Sequence, residues 1–251
     1  TIDSDATLAN LGNLTVLGAA ELNASIQTSG VQNFAGPVTL LGSTDLTGPS
    51  GIFTGGIAGN AKALTLNYSQ TTTIDGTSVF SNIGDFTVLG DANLNAAIQT
   101  TGLQRYGGAT NLLGDTTLNT GGTGNVSFGG TVDGANRLDI EAGSGRIEFF
   151  GALGGTTPLP SLNLTSASAV TALSTFAING TGAGSDGLLI GTGVNNVNIA
   201  QTGSTITNAN LAGIRFAGGS QNSTVGGFTI TGSGGSGVAV EPGDYTGSVF
   251  A

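Results

Sequence analysis

The chain repeats itself at two scales, and few folds are compatible with a repeat of this kind. Leu14-Thr-Val-Leu-Gly-Ala-Ala-Glu-Leu22 returns 24 residues later as Val38-Thr-Leu-Leu-Gly-Ser-Thr-Asp-Leu46. The run from Asn10 to Leu46 then returns 72 residues on, as Asn82 to Leu118, without a gap and with roughly half of its residues identical. A unit this small cannot bury an apolar face by itself, so copies must stack and share one continuous core; that is the signature of a solenoid or array.

Within each repeat the period is two. Leu14-Thr-Val16, Leu64-Thr-Leu66, Leu138-Asp-Ile140, Leu162-Asn-Leu164, Val197-Asn-Ile199 and Phe228-Thr-Ile230 alternate apolar with polar residues and end at Gly, Asn or Ser, the chemistry of short strands and tight turns. No segment carries a capped apolar period of 3.6 residues, so almost no helix is expected. Two all-β architectures fit this pattern. In one, each unit of about 24 residues is a coil of a parallel β-helix, with three short strands per coil stacked at about 4.8 Å. In the other, longer strands pair antiparallel in sandwich domains, with turns every 8–12 residues or so. The brevity of the strands and the recurrence of the apolar register favour a right-handed parallel β-helix, a β-solenoid with coils of about 24 residues. The 72-residue repeat is then three coils, and ten coils make a rod roughly 50 Å long.

Residues 1–170 carry these repeats. Residues 171–251 continue the coils with a different motif, in which Gly187-Leu-Leu-Ile190, Gly213-Ile-Arg-Phe216 and Gly237-Val-Ala-Val240 recur at 26 and 24 residues, with Asn-rich bends between. The change falls near Ser166–Thr181 and reads as a new coil shape within one rod. Thr1–Ala6 shows no capping helix and Val249-Phe-Ala251 is strand-like. Exposed strand edges at both ends imply either further coils beyond them or stacking on neighbouring copies. With no initiator Met and no export signal in view, the chain reads as a mature product or an excised segment.

Composition narrows the partners. Glycine is abundant, 46 residues, without the period that collagen requires, and only 8% of residues are charged, too few for a disordered chain. The net charge is −10, and Lys62, Arg105, Arg137, Arg146 and Arg215 are scattered. No phosphate-tracking surface can be assembled from them, which argues against nucleic acid and anionic membranes as partners. No apolar run reaches the 20 or so residues of a membrane span. Without Cys there is no disulfide framework and no thiolate site, and without His the commonest general base and metal ligand are missing.

Three stretches resemble repeats of large bacterial surface proteins: Ile98-Gln-Thr-Thr-Gly-Leu-Gln-Arg-Tyr106, Gly124-Asn-Val-Ser-Phe-Gly-Gly-Thr-Val-Asp-Gly134 and Arg146-Ile-Glu-Phe-Phe-Gly-Ala-Leu-Gly-Gly-Thr-Thr-Pro-Leu159. These are the β-strand-repeat, filamentous-haemagglutinin-like exoproteins, and the resemblance covers roughly residues 10–165. Residues 187–250 are similar instead to the general right-handed β-helix repeat of adhesins and polysaccharide-acting enzymes. What the resemblance implies is an extracellular rod or filament at a bacterial cell surface, self-associating and making multivalent contacts, including contacts with glycans.

The rival reading is a carbohydrate-active β-helix enzyme. Such chemistry needs carboxylates paired at a fixed separation or clustered with a basic group. Asp186, Arg215, Glu241 and Asp244 are the best set, because glycine-led strands bring them near one side of adjacent coils. Their simpler reading is as turn caps facing solvent, with Arg215 outward by alternation. Calcium would need recurring acids. Gly234-Gly-Ser-Gly237 lacks the following Asp, and Asp3, Asp5 and Asp45 are too sparse for six oxygens. Thr71-Thr-Thr-Ile74 and Thr205-Ile-Thr207 are too irregular for a flat ice-binding face. Phe34, Phe53, Tyr106, Phe128 and Phe150 are expected to stack in the core. Gly121-Gly-Thr-Gly124 is a turn, with no following helix or Lys to make a phosphate loop. No catalytic, cofactor-binding or metal-ligating residue is assigned, and a structural or adhesive rod is expected.

Overall fold

The computed structural model describes Ile2 and residues 7–76, 78–180 and 184–251. The chain winds as an all-β solenoid of about 11 turns, successive turns lying about 22 residues apart. No helix occurs among the described residues, and every pairing between their strands is parallel. The segment Thr1–Ala6, apart from Ile2, lies outside the described residues, and with it the expectations for Asp3 and Asp5.

Each turn has three sides. The first side begins with Leu8–Leu11 and Ile26–Thr28, the second with Leu14–Val16 and Gln32–Phe34, the third with Ala20–Leu22 and Val38–Leu40. On each side the strand of one turn pairs with the strand of the next: Leu8 with Ile26, Leu14 with Gln32, Ala20 with Val38. The third side forms an 11-stranded sheet. The first two merge into a 17-stranded sheet because Thr44–Phe53 and Leu64–Ile74 run across their shared corner as unbroken strands. Late in the second side, Ala177–Asn179, Ser204–Thr207 and Phe228–Thr231 make a sheet of three strands. Pairing continues on all three sides through residues 166–180, where the sequence motif changes.

The mean turn of about 22 residues is close to the expected 24, but individual turns vary along the chain. Leu8 to Ile26 and Val88 to Tyr106 are 18 residues, made of sides of about six. The turn lengthens to 24 from Ile140 to Leu164 and to 28 from Ile178 to Ile206, then returns to 24 from Ile214 to Val238. The 24-residue echo is therefore not one coil stacked on the next. Leu14–Val16 lies on the second side and its echo Val38–Leu40 on the third, so the echo is one 18-residue turn plus one side. Likewise the 72-residue repeat sets Leu14–Val16 of the second side against Phe86–Val88 of the first, and it is not three superposed coils. All three sides make one chemical demand, an apolar-polar-apolar strand closed by a tight corner. Self-similarity in the sequence thus reports the length of a side and is indifferent to which side it falls on.

The interior is a spine of rings. Phe34 stacks on Phe53 at 5.2 Å, and edge-on contacts lead through Phe80 and Phe86 to Tyr106. Tyr106, Phe128 and Phe149 then stack face to face at 5.0 and 5.3 Å, and Phe176 carries the series to Phe228. Here the reading of Phe150 is corrected. Alternation from Arg146 turns Ile147 and Phe149 inward, and Phe150 sits at a corner with half its surface exposed. Corners stay tight where glycine permits it: a Cβ on Gly124 would lie 2.0 Å from the Gly102 carbonyl oxygen in the turn before, and one on Gly145 1.9 Å from that of Gly124.

Two buried glutamines hold the spine in place. The Gln104 amide nitrogen donates to the Ile98 and Asn119 carbonyls (3.1 and 3.0 Å) and to the Thr100 hydroxyl (3.3 Å), while its oxygen accepts from the Tyr106 hydroxyl at 3.0 Å. Gln32, its 72-residue counterpart, does the same with Ile26, Thr47, Thr28 and Tyr68. Burial pushes the Tyr68 and Tyr106 hydroxyls far above the ordinary phenol value, so both remain donors. The folded chain keeps these protons where the unfolded chain releases them. Their stabilising contribution is thus complete below a pH of about 10 and falls as pH rises beyond it. The guanidinium midpoint is expected to drop between about pH 9 and about pH 11; an unchanged midpoint would contradict the burial of the two phenols.

Candidate functional site

The polar residues of the corners and outer faces mostly serve the neighbouring turn. At the corners, Asn13 accepts the Val31 N–H, Asp85 that of Leu103, Asp91 that of Ala109 and Asp115 that of Arg137, all at 2.8–3.0 Å. Asn125 and Asn195 do the same for Arg146 and Gln221. An Asx side chain suits this place because its short reach spans one turn spacing and its oxygen satisfies an N–H that a corner leaves unpaired. Where acids at corners are expected to cap their own turns in solvent, these carboxylates instead tie one turn to the next.

Three of the four sequence candidates meet. Ile214–Phe216 points Ile214 and Phe216 inward and Arg215 outward. Arg215 Nε donates to Asp186 Oδ2 at 2.7 Å and Nη1 to Glu241 Oε1 at 2.9 Å, so one guanidinium spans three successive turns. Asp186 is 8% exposed, and its other oxygen accepts the Ala212 N–H at 2.9 Å. The hydrogen bond to Asp186 and then that to Glu241 raise the Arg215 pKa above its ordinary value. The guanidinium bonds a carboxylate of the turn before and one of the turn after. The arrangement therefore works as a staple across turns.

Asp244 stands apart from that group. It accepts from the hydroxyl and N–H of Thr246 (2.6 and 2.9 Å) and from the Gln221 side chain, and these bonds, the Thr246 hydroxyl first, hold its carboxyl below the ordinary range. With Thr192, Asn195 and Gln221 it borders a shallow glycine-floored groove of about 290 Å³.

The remaining motifs take structural places. Thr73 is flanked in its column by Ile52 and Asn93, which breaks any threonine face there. Thr205 and Thr207 pair with Thr229 and Thr231, but the preceding turn offers Ala177 and Asn179. Gly234 and Gly235 donate their N–H groups to the Ala209 and Leu211 carbonyls of the turn before. Among the described residues, no three acids or other metal-ligating side chains converge. No described helix is long and apolar enough to cross a membrane.

A second cluster is not among the sequence candidates. Thr117, Asp139 and Asn163 form one outward column on the third side, and Asn119 and Glu141 stand beside them. Asn163 donates to Asp139 Oδ1 at 2.6 Å and Asn119 to Glu141 Oε2 at 2.7 Å, while Arg137 holds the other Asp139 oxygen at 3.0 Å. A signal for it exists in the sequence, since Leu138-Asp-Ile-Glu141 puts both acids on one face of one strand. No family model matches the chain, and neither does any curated protein or solved structure.

Proposed function

We propose that this chain forms part of the shaft of an extracellular structural or adhesive protein at a bacterial surface, a stiff rod that projects or connects and acts through many weak contacts. One observation carries the reading: polar side chains from corners and outer faces are spent on bonds between turns, which stiffens the long axis. The Asx ladder, the Arg215 staple and the asparagine–carboxylate pairs on the third side all run along that axis. Groups placed this way resist bending and separation of turns. A rod that presents repeated faces gains avidity from contacts that are individually weak. Self-association belongs to the same reading.

Negative-stain electron microscopy is expected to show rods about 50 Å long, the product of the turn count and the strand spacing. At high protein concentration they should join into filaments with that repeat. Globular particles would overturn the rod, and single rods at every concentration would overturn self-association. Antibody raised against the chain should label intact cells of the source bacterium; labelling only after lysis would overturn the surface assignment.

A further inference from the structure

The polar cluster on the third side lies in a depression of about 300 Å³ lined by Thr117, Asp139, Ile140, Glu141, Asn163 and Thr165. Its shape comes from a register shift: Ile140 pairs with Leu164 but Glu141 with Ser166, so Thr165 is the extra residue of a bulge, and its hydroxyl donates to the Ile140 carbonyl at 3.1 Å. Bulges of this sort re-aim side chains and interrupt an otherwise flat sheet. In the next turn the column continues from Asn163 to half-buried Leu189, an apolar ledge at the rim.

We infer that this depression is a binding subsite for a neutral polyhydroxylated ligand, a glycan bearing no carboxylate or sulfate. The inference rests on the surface-rod reading and gives its contacts a chemical class. Each carboxylate has about four lone-pair sites and spends only one or two on its asparagine or arginine partner, so both retain acceptors for ligand hydroxyls. Hydrogen bonds from hydroxyl donors to ionised carboxylates are short and strong. The threonine hydroxyls add groups that donate or accept. Fixed polar partners beside an apolar ledge are the composition of a small-ligand site, and the volume sits at the low end of the range of about 300–1,000 Å³ for such sites.

Other ligand classes fit less well. An anion would meet Asp139 and Glu141 on a chain of net charge −10. A divalent cation needs six or more oxygens around one point. Asp139 and Glu141 lie two residues apart on one strand, about 7 Å along it, and an asparagine N–H already faces each.

The test uses the whole chain on an array of neutral and acidic oligosaccharides, followed by calorimetric titration with the best-retained neutral one. Retention of neutral glycans is expected, and the double variant Asp139→Asn, Glu141→Gln should weaken binding about tenfold or more, as expected for lost hydrogen bonds to charged groups. Asp244→Asn, at the separate groove, should bind as the parent does. Three results would overturn the inference: no neutral glycan retained, equal binding by the double variant, or calcium alone binding with the same sensitivity to that variant. Micrographs of the same samples separate the two readings. Normal rods without glycan binding sink the subsite alone, whereas globular particles sink the rod.

Discussion

Phe128→Ala is expected to destabilise the solenoid by about 3–5 kcal/mol, the range for removing a buried phenyl ring and leaving its cavity. Phe128 is fully buried between Tyr106, at 5.0 Å and 13° from parallel, and Phe149, at 5.3 Å and 2°. Either neighbour would lose packing on its far side by moving into the gap, Tyr106 against Phe86 and Phe149 against Phe176. The backbone cannot collapse either, since the strand Val126–Phe128 pairs on both edges, with Gln104–Tyr106 and with Arg146–Phe149. In a stacked array each turn is supported by its nearest neighbours, so a weak turn in the middle uncouples the two halves. Denaturant unfolding followed by circular dichroism should show a lower midpoint and a broadened or split transition. Phe150→Ala is the matched control: its ring is half exposed at a corner, and the change should stay within about 0.5 kcal/mol. Equal effects at the two positions would mean that the inward register of this strand is wrong.

The pair Phe149 and Phe150 shows how far the sequence can be read. Alternation within Arg146-Ile-Glu-Phe149 decides which ring goes in, and it is legible; matching by repeat position chooses the wrong one of two adjacent phenylalanines. The class of fold is legible for a similar local reason, because short apolar-polar-apolar runs closed by glycine suit little other than stacked strands. Turn length is not, because the sequence echo cannot distinguish one side of a coil from another. The 24-residue echo spans one 18-residue turn plus one side, and only pairing such as Leu14 with Gln32 reveals the 18-residue turn at this end of the rod.

The polar positions are harder, since their partners lie one turn away at a distance that varies along the chain. Asp186, Arg215 and Glu241 can be brought together from sequence by their glycine-led strands, which repeat at 26 and 24 residues. Asp139 and Glu141 escape notice because their partners Asn163 and Asn119 sit 24 and 22 residues away and look, as sequence, like ordinary strand surface. The glutamines escape it for the opposite reason: a polar residue at an inward position reads as a break in the pattern until its hydrogen bonds are seen.

Gln104→Leu tests that last point and is expected to cost about 3 kcal/mol, although leucine is apolar and close in size. Burial of an apolar side chain should by itself help, so the sign of the effect discriminates between the two accounts. The change removes the acceptor of the Tyr106 hydroxyl at 3.0 Å and the donor to the Ile98 and Asn119 carbonyls, all in a site shut off from water. Leaving buried polar atoms without partners costs more than a made hydrogen bond contributes, because their desolvation is no longer compensated. Adding Tyr106→Phe to the leucine variant removes the orphaned hydroxyl as well, and about 1 kcal/mol or more should return. Gln32→Leu should cost a similar amount through Tyr68, whose hydroxyl reaches it from two turns away at 2.8 Å. Denaturant midpoints for the parent chain, Gln104→Leu, Tyr106→Phe and the double variant close the cycle. A neutral or stabilising Gln104→Leu would mean that the glutamine is only tolerated in the core; a cost that Tyr106→Phe relieves means that the latch fixes the register of the turns around it.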